Sequence, residues 1–411
     1  MAGAVRYVLA TYSEFGLVAL LTLYFTNMAS QQALADSSIA FIVISYSTFL
    51  ALGFHNGAIR DGAISSTVEE KERILRLEIW FSALIALLLT AAALVCRDHL
   101  YLMAGLFIGG VNHLKTACQT VFRLLGMDMQ LNILNVSWAT MFFATFGLVL
   151  LLFKGSALEL QFFGAWSLAA FAVVFSFFIY CWRMLRASDD DRTESIRLFW
   201  KILSASKYMF LMASGLVVVL TSDRLVLNLL AAAEKVRADF QYIDVLTNIY
   251  FLGVTSVLYY FTPGLLKRFS GEDAAEVAFQ KMMVNCALYL SGVALMFVLA
   301  ITVFLLLVGR FDWAMFAILV SMLLLKTMLI CLGFVCNFYL AQRLENVLAA
   351  AYLGLMVIGL VLSFTFGRLF TGTPLIVFLP LLNALLVGAV VAVLFKRIRV
   401  QGGHEKSTYI N

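Results

Sequence analysis

Proline is almost missing from this sequence, at 3 in 411 residues, and charge is scarce, with Asp, Glu, Lys and Arg making up 13% of the chain. The first scarcity removes the commonest helix breaker. The second removes the wet surface of an ordinary soluble domain, where about a quarter of residues are charged. Cysteine offers no chemistry: the 6 present (Cys96, Cys118, Cys181, Cys286, Cys331 and Cys336) fall in or beside apolar segments without a CxxC pair, and read as packing residues rather than ligands or disulfides. GxxxxGK[ST] and HExxH are missing too. An ATP motor within the chain is therefore not expected, nor is a metal or other cofactor. Nothing has the alternation of an outer-membrane barrel. The net charge of +5 follows from basic loop residues and gives no reason to expect nucleic acid.

What remains is apolar: 63% of the residues are hydrophobic, and the mean hydropathy is +0.96. Stretches of about 20 residues, enough to cross about 30 Å of hydrocarbon, fall near 8–28, 37–55, 78–96, 100–122, 131–153 and 161–182, then near 207–231, 240–262, 283–308, 313–340, 347–367 and 374–395. The expected fold is all-α and polytopic: twelve transmembrane helices in two six-helix bundles around a central cavity. Residues 1–182 would form an N-terminal lobe, 183–206 a polar cytoplasmic linker, and 207–411 a C-terminal lobe with a short cytoplasmic tail.

Basic residues stay on the cytoplasmic side of a membrane. With the N-terminus inside, the cytoplasmic segments take most of the 29 Lys and Arg, whereas the outer loops hold Arg97, Lys154, Lys235, Arg237, Arg310 and Arg368. Both termini are thus expected in the cytoplasm. Arg6 ahead of an apolar stretch, with Ala33-Leu34-Ala35 beyond it, has features of a cleaved signal peptide. The stretch is longer than an ordinary signal core and carries Glu14, which favours a retained span. The outer loops are short, about ten residues or fewer, and leave no room for a folded domain. Residues 64–78, with Ser66 and Glu69 at capping-box spacing, read as a solvated extension of the third span.

Polar residues three, four and seven apart share a helix face. In the seventh span Thr221, Arg224 and Asn228 form such a stripe, with Asp223 about 100° round the helix. The fourth span offers Asn112, Lys115, Thr116, Gln119 and Arg123, with His113 at the margin as a packing histidine. The eighth offers Gln241, Asp244, Asn248, Thr255 and Tyr259; the tenth, Lys326, Gly333 and Asn337; the first, Tyr7, Thr11 and Glu14. Such groups turned to lipid would stay unsatisfied, so the stripes predict a hydrated interior. Lys115 and Lys326 occupy the fourth helix of each six-helix half, as two repeats would place them. With Asp244 read as lying near an outer end, the embedded bases Arg224, Lys115 and Lys326 outnumber Asp223 and Glu14, and the cavity is expected to be cationic or nearly so. The eleventh and twelfth spans read as scaffold. Gly105 and Gly109 fit a close helix contact.

Three stretches carry a resemblance. FIVISYSTFLALGFHNGAIRDGA (41–63) resembles the second span of the Wzx-type polysaccharide flippases of the multidrug/oligosaccharidyl-lipid/polysaccharide exporter superfamily. The segment TSDRLVLNLL, its outer turn and YYFTPGLLKRF resemble the start of that family's second half through Asp223, Arg224 and Pro263; FRLLGMDMQLNIL (122–134) resembles its basic-glycine turn. The resemblance implies a bacterial inner-membrane protein that flips an undecaprenyl-diphosphate-linked oligosaccharide by alternating access, for O-antigen or capsule synthesis. A polysaccharide polymerase and a chain-length regulator would be partners in the same bilayer.

On that reading Arg224, Lys115 and Lys326 hold the diphosphate, each charge pair contributing about 4 kcal/mol at 4 Å and an effective dielectric near 20. Asn112, Gln119, Asn228, Asn248 and Asn337 meet sugar hydroxyls, and Asp223 or Glu14 couples transport to an ion or proton gradient. The alternatives are a multidrug or small-metabolite antiporter of the same superfamily and a membrane glycan polymerase or ligase. The short outer loops disfavour the last.

Overall fold

The computed structural model describes residues 2–65, 67–185, 192–230, 232–269 and 275–408. Ser66 lies outside them, as do residues 186–191 of the expected linker and the side chains of Tyr259 and Pro263. Every described element is helical. The helices α1 (Ala2–Met28), α2 (Gln31–Ser47), α4 (Val68–Val95), α5 (Leu100–Leu124), α6 (Asp128–Leu152) and α7 (Leu158–Leu185) supply the first six spans, with a short α3 (Phe54–Ile64) between α2 and α4. After α8 (Arg192–Ala205), the second six are α9 (Lys207–Leu229), α10 (Glu234–Phe269), α11 (Ala275–Leu307), α12 (Trp313–Ala341), α13 (Glu345–Leu369) and α14 (Thr373–Thr408). Ten of these are long and apolar enough to cross a membrane. The other two spans, α5 and α10, have the length but carry the richest polar stripes, which lower their hydropathy.

By internal packing the chain divides into Met1–Val217 and Val218–Asn411, a boundary that falls inside α9. In the first unit small residues let helices approach closely. A Cβ on Gly105 would lie 2.8 Å from the Val43 side chain, and one on Gly109 2.6 Å from Ser47 Oγ, so α5 lies against α2 at these glycines. Aromatic packing fills the contact of α1, α6 and α7: the Phe25 and Phe162 rings stack at 4.5 Å, with Phe142, Phe146 and Trp166 around them. Leucines of α4 and α6 such as Leu87, Leu88, Leu151 and Leu152 are exposed, as lipid-facing positions should be.

The second span is not one helix. After Ser47 a single 3-10 turn, Thr48–Ala51, leads to Leu52 and Gly53, both in the left-handed region (φ 49° and 76°), and α3 begins as a separate helix at Phe54. Within the expected linker, residues 183–185 complete α7 and 192–205 form α8, whose Ile202 is buried with Phe54, Ala58 and Ile74 of α3 and α4. The cap of α4 is Thr67, which accepts from the Glu70 backbone N–H, rather than the expected Ser66. In the second unit α12 is central: 78% of its apolar window is buried, against 17% for α11.

Candidate functional site

Asp244 organises the charges of the second unit. It belongs to α10, which begins at Glu234, so Asp244 lies well inside the helix and is buried rather than near an outer end. One carboxylate oxygen pairs with the Arg224 guanidinium from α9. The other accepts from Lys326 Nζ of α12 at 2.8 Å. Lys326 also donates to the Asp244 carbonyl at 3.1 Å and to Thr247 Oγ1 at 2.6 Å, which accounts for all three ammonium hydrogens. Asn248 Nδ2 donates to Asp244 at 3.1 Å.

Asp223 turns the other way, as a helical neighbour of Arg224 must. It accepts from Asn383 Nδ2 at 2.7 Å, and the same amide reaches Ser222 Oγ at 3.1 Å. Asn383 belongs to α14, so the twelfth span is not mere scaffold. Asp223, Arg224, Asp244 and Lys326 are all buried.

The first unit repeats the theme with different helices. Glu14 of α1 is buried, and its Oε1 accepts from Lys115 Nζ of α5 at 2.5 Å and from Trp138 Nε1 of α6 at 2.6 Å. The ammonium also sits 4.6 Å from the centroid of the Trp138 ring. One turn further along α5, Gln119 donates to Asn135 Oδ1 of α6 at 2.8 Å, and Arg123 donates to the Tyr7 hydroxyl at 3.4 Å.

A third cluster lies at the break in the second span. His113 Nε2 contacts the Ser47 carbonyl at 3.0 Å, His113 Nδ1 contacts His55 Nε2 at 3.0 Å, and His55 Nδ1 contacts Glu78 Oε1. Glu78 is fully buried, so the wet helix face expected over 64–78, where Glu69 is exposed, does not extend to this last charge.

Arg224 and Lys326 are therefore brought together with Asn248, while Asp223 stands beside them on Asn383. Lys115 joins Glu14, and Gln119 lies on the same helix as Lys115. Asn228 is tied to its own surroundings, donating to the Arg224 carbonyl at 2.8 Å and accepting from Arg237 at 3.1 Å. Asn337 donates to the Gly333 carbonyl at 3.3 Å. Asn112 is half-buried on α5, its carbonyl accepting from Thr116 at 2.9 Å.

The expected cationic excess is corrected. Arg224 and Lys326 are matched by Asp244 and Asp223, and Lys115 by Glu14. Missed in the sequence were Asn383, Trp138, Asn135, Glu78 and His55. A carboxylate within the heptad-like run Ile74, Glu78, Ser82, Ile85 was the available signal for one of them.

No protein-family model matches the chain, and no curated protein sequence matches it. Its fold is shared with solved transporters. The chain is similar over 99% of its length, and 96% of the other, to an outward-facing multidrug resistance MATE family transporter of the MOP superfamily, with a TM-score of 0.66 and 12% identity. It is similar to the MATE multidrug transporter DinF-BH, solved in complex with R6G, at a TM-score of 0.64 and 13% identity over 96% and 94% of the two chains. A Vibrio cholerae MATE transporter gives a TM-score of 0.62 and 13% identity over 96% and 97%.

Proposed function

We propose that the chain is an ion-coupled antiporter that exports a small or amphipathic molecule by alternating access. The observation that carries this reading is the internal matching of embedded charge. Each base expected to hold a diphosphate already meets a carboxylate of its own unit: Lys115 meets Glu14, and Arg224 and Lys326 meet Asp244. Truncating one partner of a buried pair costs about 3–5 kcal/mol, so a dianionic headgroup would have to displace bound carboxylates to bind. A proton or small cation arriving at Glu14 or Asp244 displaces no carboxylate, and the cost of leaving its base uncompensated is what ties ion binding to a change of state. The ion exchanges with Lys115 or Lys326 as the carboxylate's partner, and the released ammonium alters local packing. That is the elementary step of coupling an ion to a conformational change. The resemblance in fold to multidrug transporters supports the same reading.

A flippase for an undecaprenyl-diphosphate oligosaccharide is the second reading. It is favoured by three bases in the spans, Arg224 and Lys326 buried and Lys115 partly so, which would bind phosphate once Glu14 and Asp244 were neutralised.

Proteoliposomes separate the two. Under an imposed proton or sodium gradient, antiport predicts gradient-driven export of a cationic dye, lost in Glu14→Gln and Asp244→Asn. If no dye moves under either gradient while a fluorescent undecaprenyl-diphosphate oligosaccharide becomes accessible to an impermeant quencher, the flippase reading replaces it.

A further inference from the structure

The chain of contacts from Glu78 through His55 and His113 to Ser47 has no part in the proposed coupling pairs. It ties together four elements. Ser47 ends α2, His55 lies in the first turn of α3, Glu78 faces it from α4, and His113 comes from α5. Glu78 is fully buried and His113 nearly so. Glu78 Oε2 meets no hydrogen-bond partner among the described residues. The imidazole rings lie 5.3 Å apart with an interplanar angle of 30°.

We propose that Glu78, His55 and His113 form a binding site for one proton, separate from the Glu14–Lys115 pair, and that the bound proton latches α3 to α4 and α5. The stoichiometry follows from what each atom can do. Three contacts in series join Glu78 Oε1, the two rings and the Ser47 carbonyl, and each requires one hydrogen between its two heavy atoms. A carbonyl and an ionised carboxylate only accept, and a neutral imidazole carries a single N–H. Two neutral histidines therefore supply two hydrogens for three contacts, and the third must be an added proton.

Where that proton rests does not change the count. It can sit on Glu78 as the acid, on His55 as an imidazolium, or on His113 with His55 in its other tautomer. In each form the site is neutral overall, which suits its burial. Removing the proton leaves two lone pairs facing each other at one of the three contacts. That contact opens, and His55, on the short helix that follows the left-handed turn at Leu52 and Gly53, is freed.

The other charged groups that the described residues show paired on these elements bond elsewhere. On α3, Arg60 bonds Asp61 at 2.7 Å. On α4, Arg73 bonds Glu194 of α8 at 2.7 Å, and Arg76 donates to the Leu185 carbonyl of α7 at 3.2 Å. On α5, Lys115 is held by Glu14. On α8, Arg197 and Lys201 line a surface groove with Glu69 and Glu70.

The test reads protonation directly and does not depend on any transported substrate. The sequence has only 4 histidines, so ¹⁵N-histidine labelling of the full chain in lipid gives an assignable spectrum. The expected result has three parts. His113 keeps its Nε2 hydrogen from about pH 5 to 8, the range in which histidines ordinarily change charge. His55 and His113 respond together to one proton. Amide exchange in α3 rises as that proton leaves. Glu78→Gln supplies the third hydrogen from its amide, so it should keep the contacts and the protection of α3 at every pH, with the joint titration lost. Two histidines that titrate independently in the wild type, or a Glu78→Gln variant whose titration and exchange match the wild type, would overturn the proposal.

Discussion

Asp244 faces two bases at once, and its replacement has a predictable cost. In Asp244→Asn the amide keeps the size of the carboxylate but neither balances nor fully accepts from Arg224 and Lys326. Leaving a buried charge uncompensated costs about 3–5 kcal/mol. The variant should therefore unfold at clearly lower temperature in detergent, followed by intrinsic fluorescence. Adding Lys326→Met should recover part of the loss, because it removes one orphaned charge and packs well beside Thr247. Equal melting of Asp244→Asn and wild type would mean that the bases are solvated, not buried.

The bases themselves were legible in the sequence, since an arginine or lysine in an apolar run has few innocent explanations. Their partner was not. Gln241, Asp244 and Asn248 follow a polar turn closely enough to resemble a helix end, whereas α10 begins at Glu234 and Asp244 lies about three turns in. Asn383 was hidden for the opposite reason: one amide in a span of uniform hydropathy carries no periodic signal.

Among the helices, the break after α2 is the element with the sharpest demand on sequence. Gly53 has φ 76°, and a Cβ there would lie 2.6 Å from the backbone N of Phe210 and from the backbone O of Ser206. Neither atom can move without shifting the junction of α8 and α9. Gly126 shares the left-handed backbone, at φ 69°, but has open space around its Cβ position. Gly126→Ala should thus cost only the conformational penalty, about 1–2 kcal/mol. Gly53→Ala should cost that plus the clash and yield far less folded protein. Comparing expression and melting temperature of the pair isolates the packing contribution, and equal losses would show that the close approach is absent.

The span itself was legible to 55, but the break was not. Thr48 to Leu52 are as apolar as the helix before them, and it is backbone geometry at Leu52 and Gly53, fixed by tertiary contact, that ends it. The helix α8 was overlooked because its 14 residues are too short to span and its charges suggested a tether. The buried face at Ile202, with Leu198, Phe199 and Leu203 beside it, has the period of a packed helix.

At the scale of the whole chain, the two lysines at matching ordinal helices, Lys115 and Lys326, sit in unlike surroundings. The first is held by the opening helix of its unit, the second by α10, and only the second shares its carboxylate with an arginine. The correspondence between the halves is thus confined to helix count and the position of one base and does not extend to the counter-ions, which is why the sequence could suggest two bundles but not their charge pairing. Twelve spans would put both termini on one side, and the loop charges carry the expectation that this side is the cytoplasm. Lys154 lies in the exposed α6–α7 connection, among the few basic residues on the expected outer side, while Glu69 opens α4 beside Lys71 and Arg73. With the native cysteines replaced, Lys154→Cys should react with an impermeant maleimide on intact cells, and Glu69→Cys only after permeabilisation. The opposite pattern would invert the topology, make the Lys- and Arg-rich side external against the bias that governs insertion, and reverse the direction in which any proton released at Glu14 or Asp244 must leave.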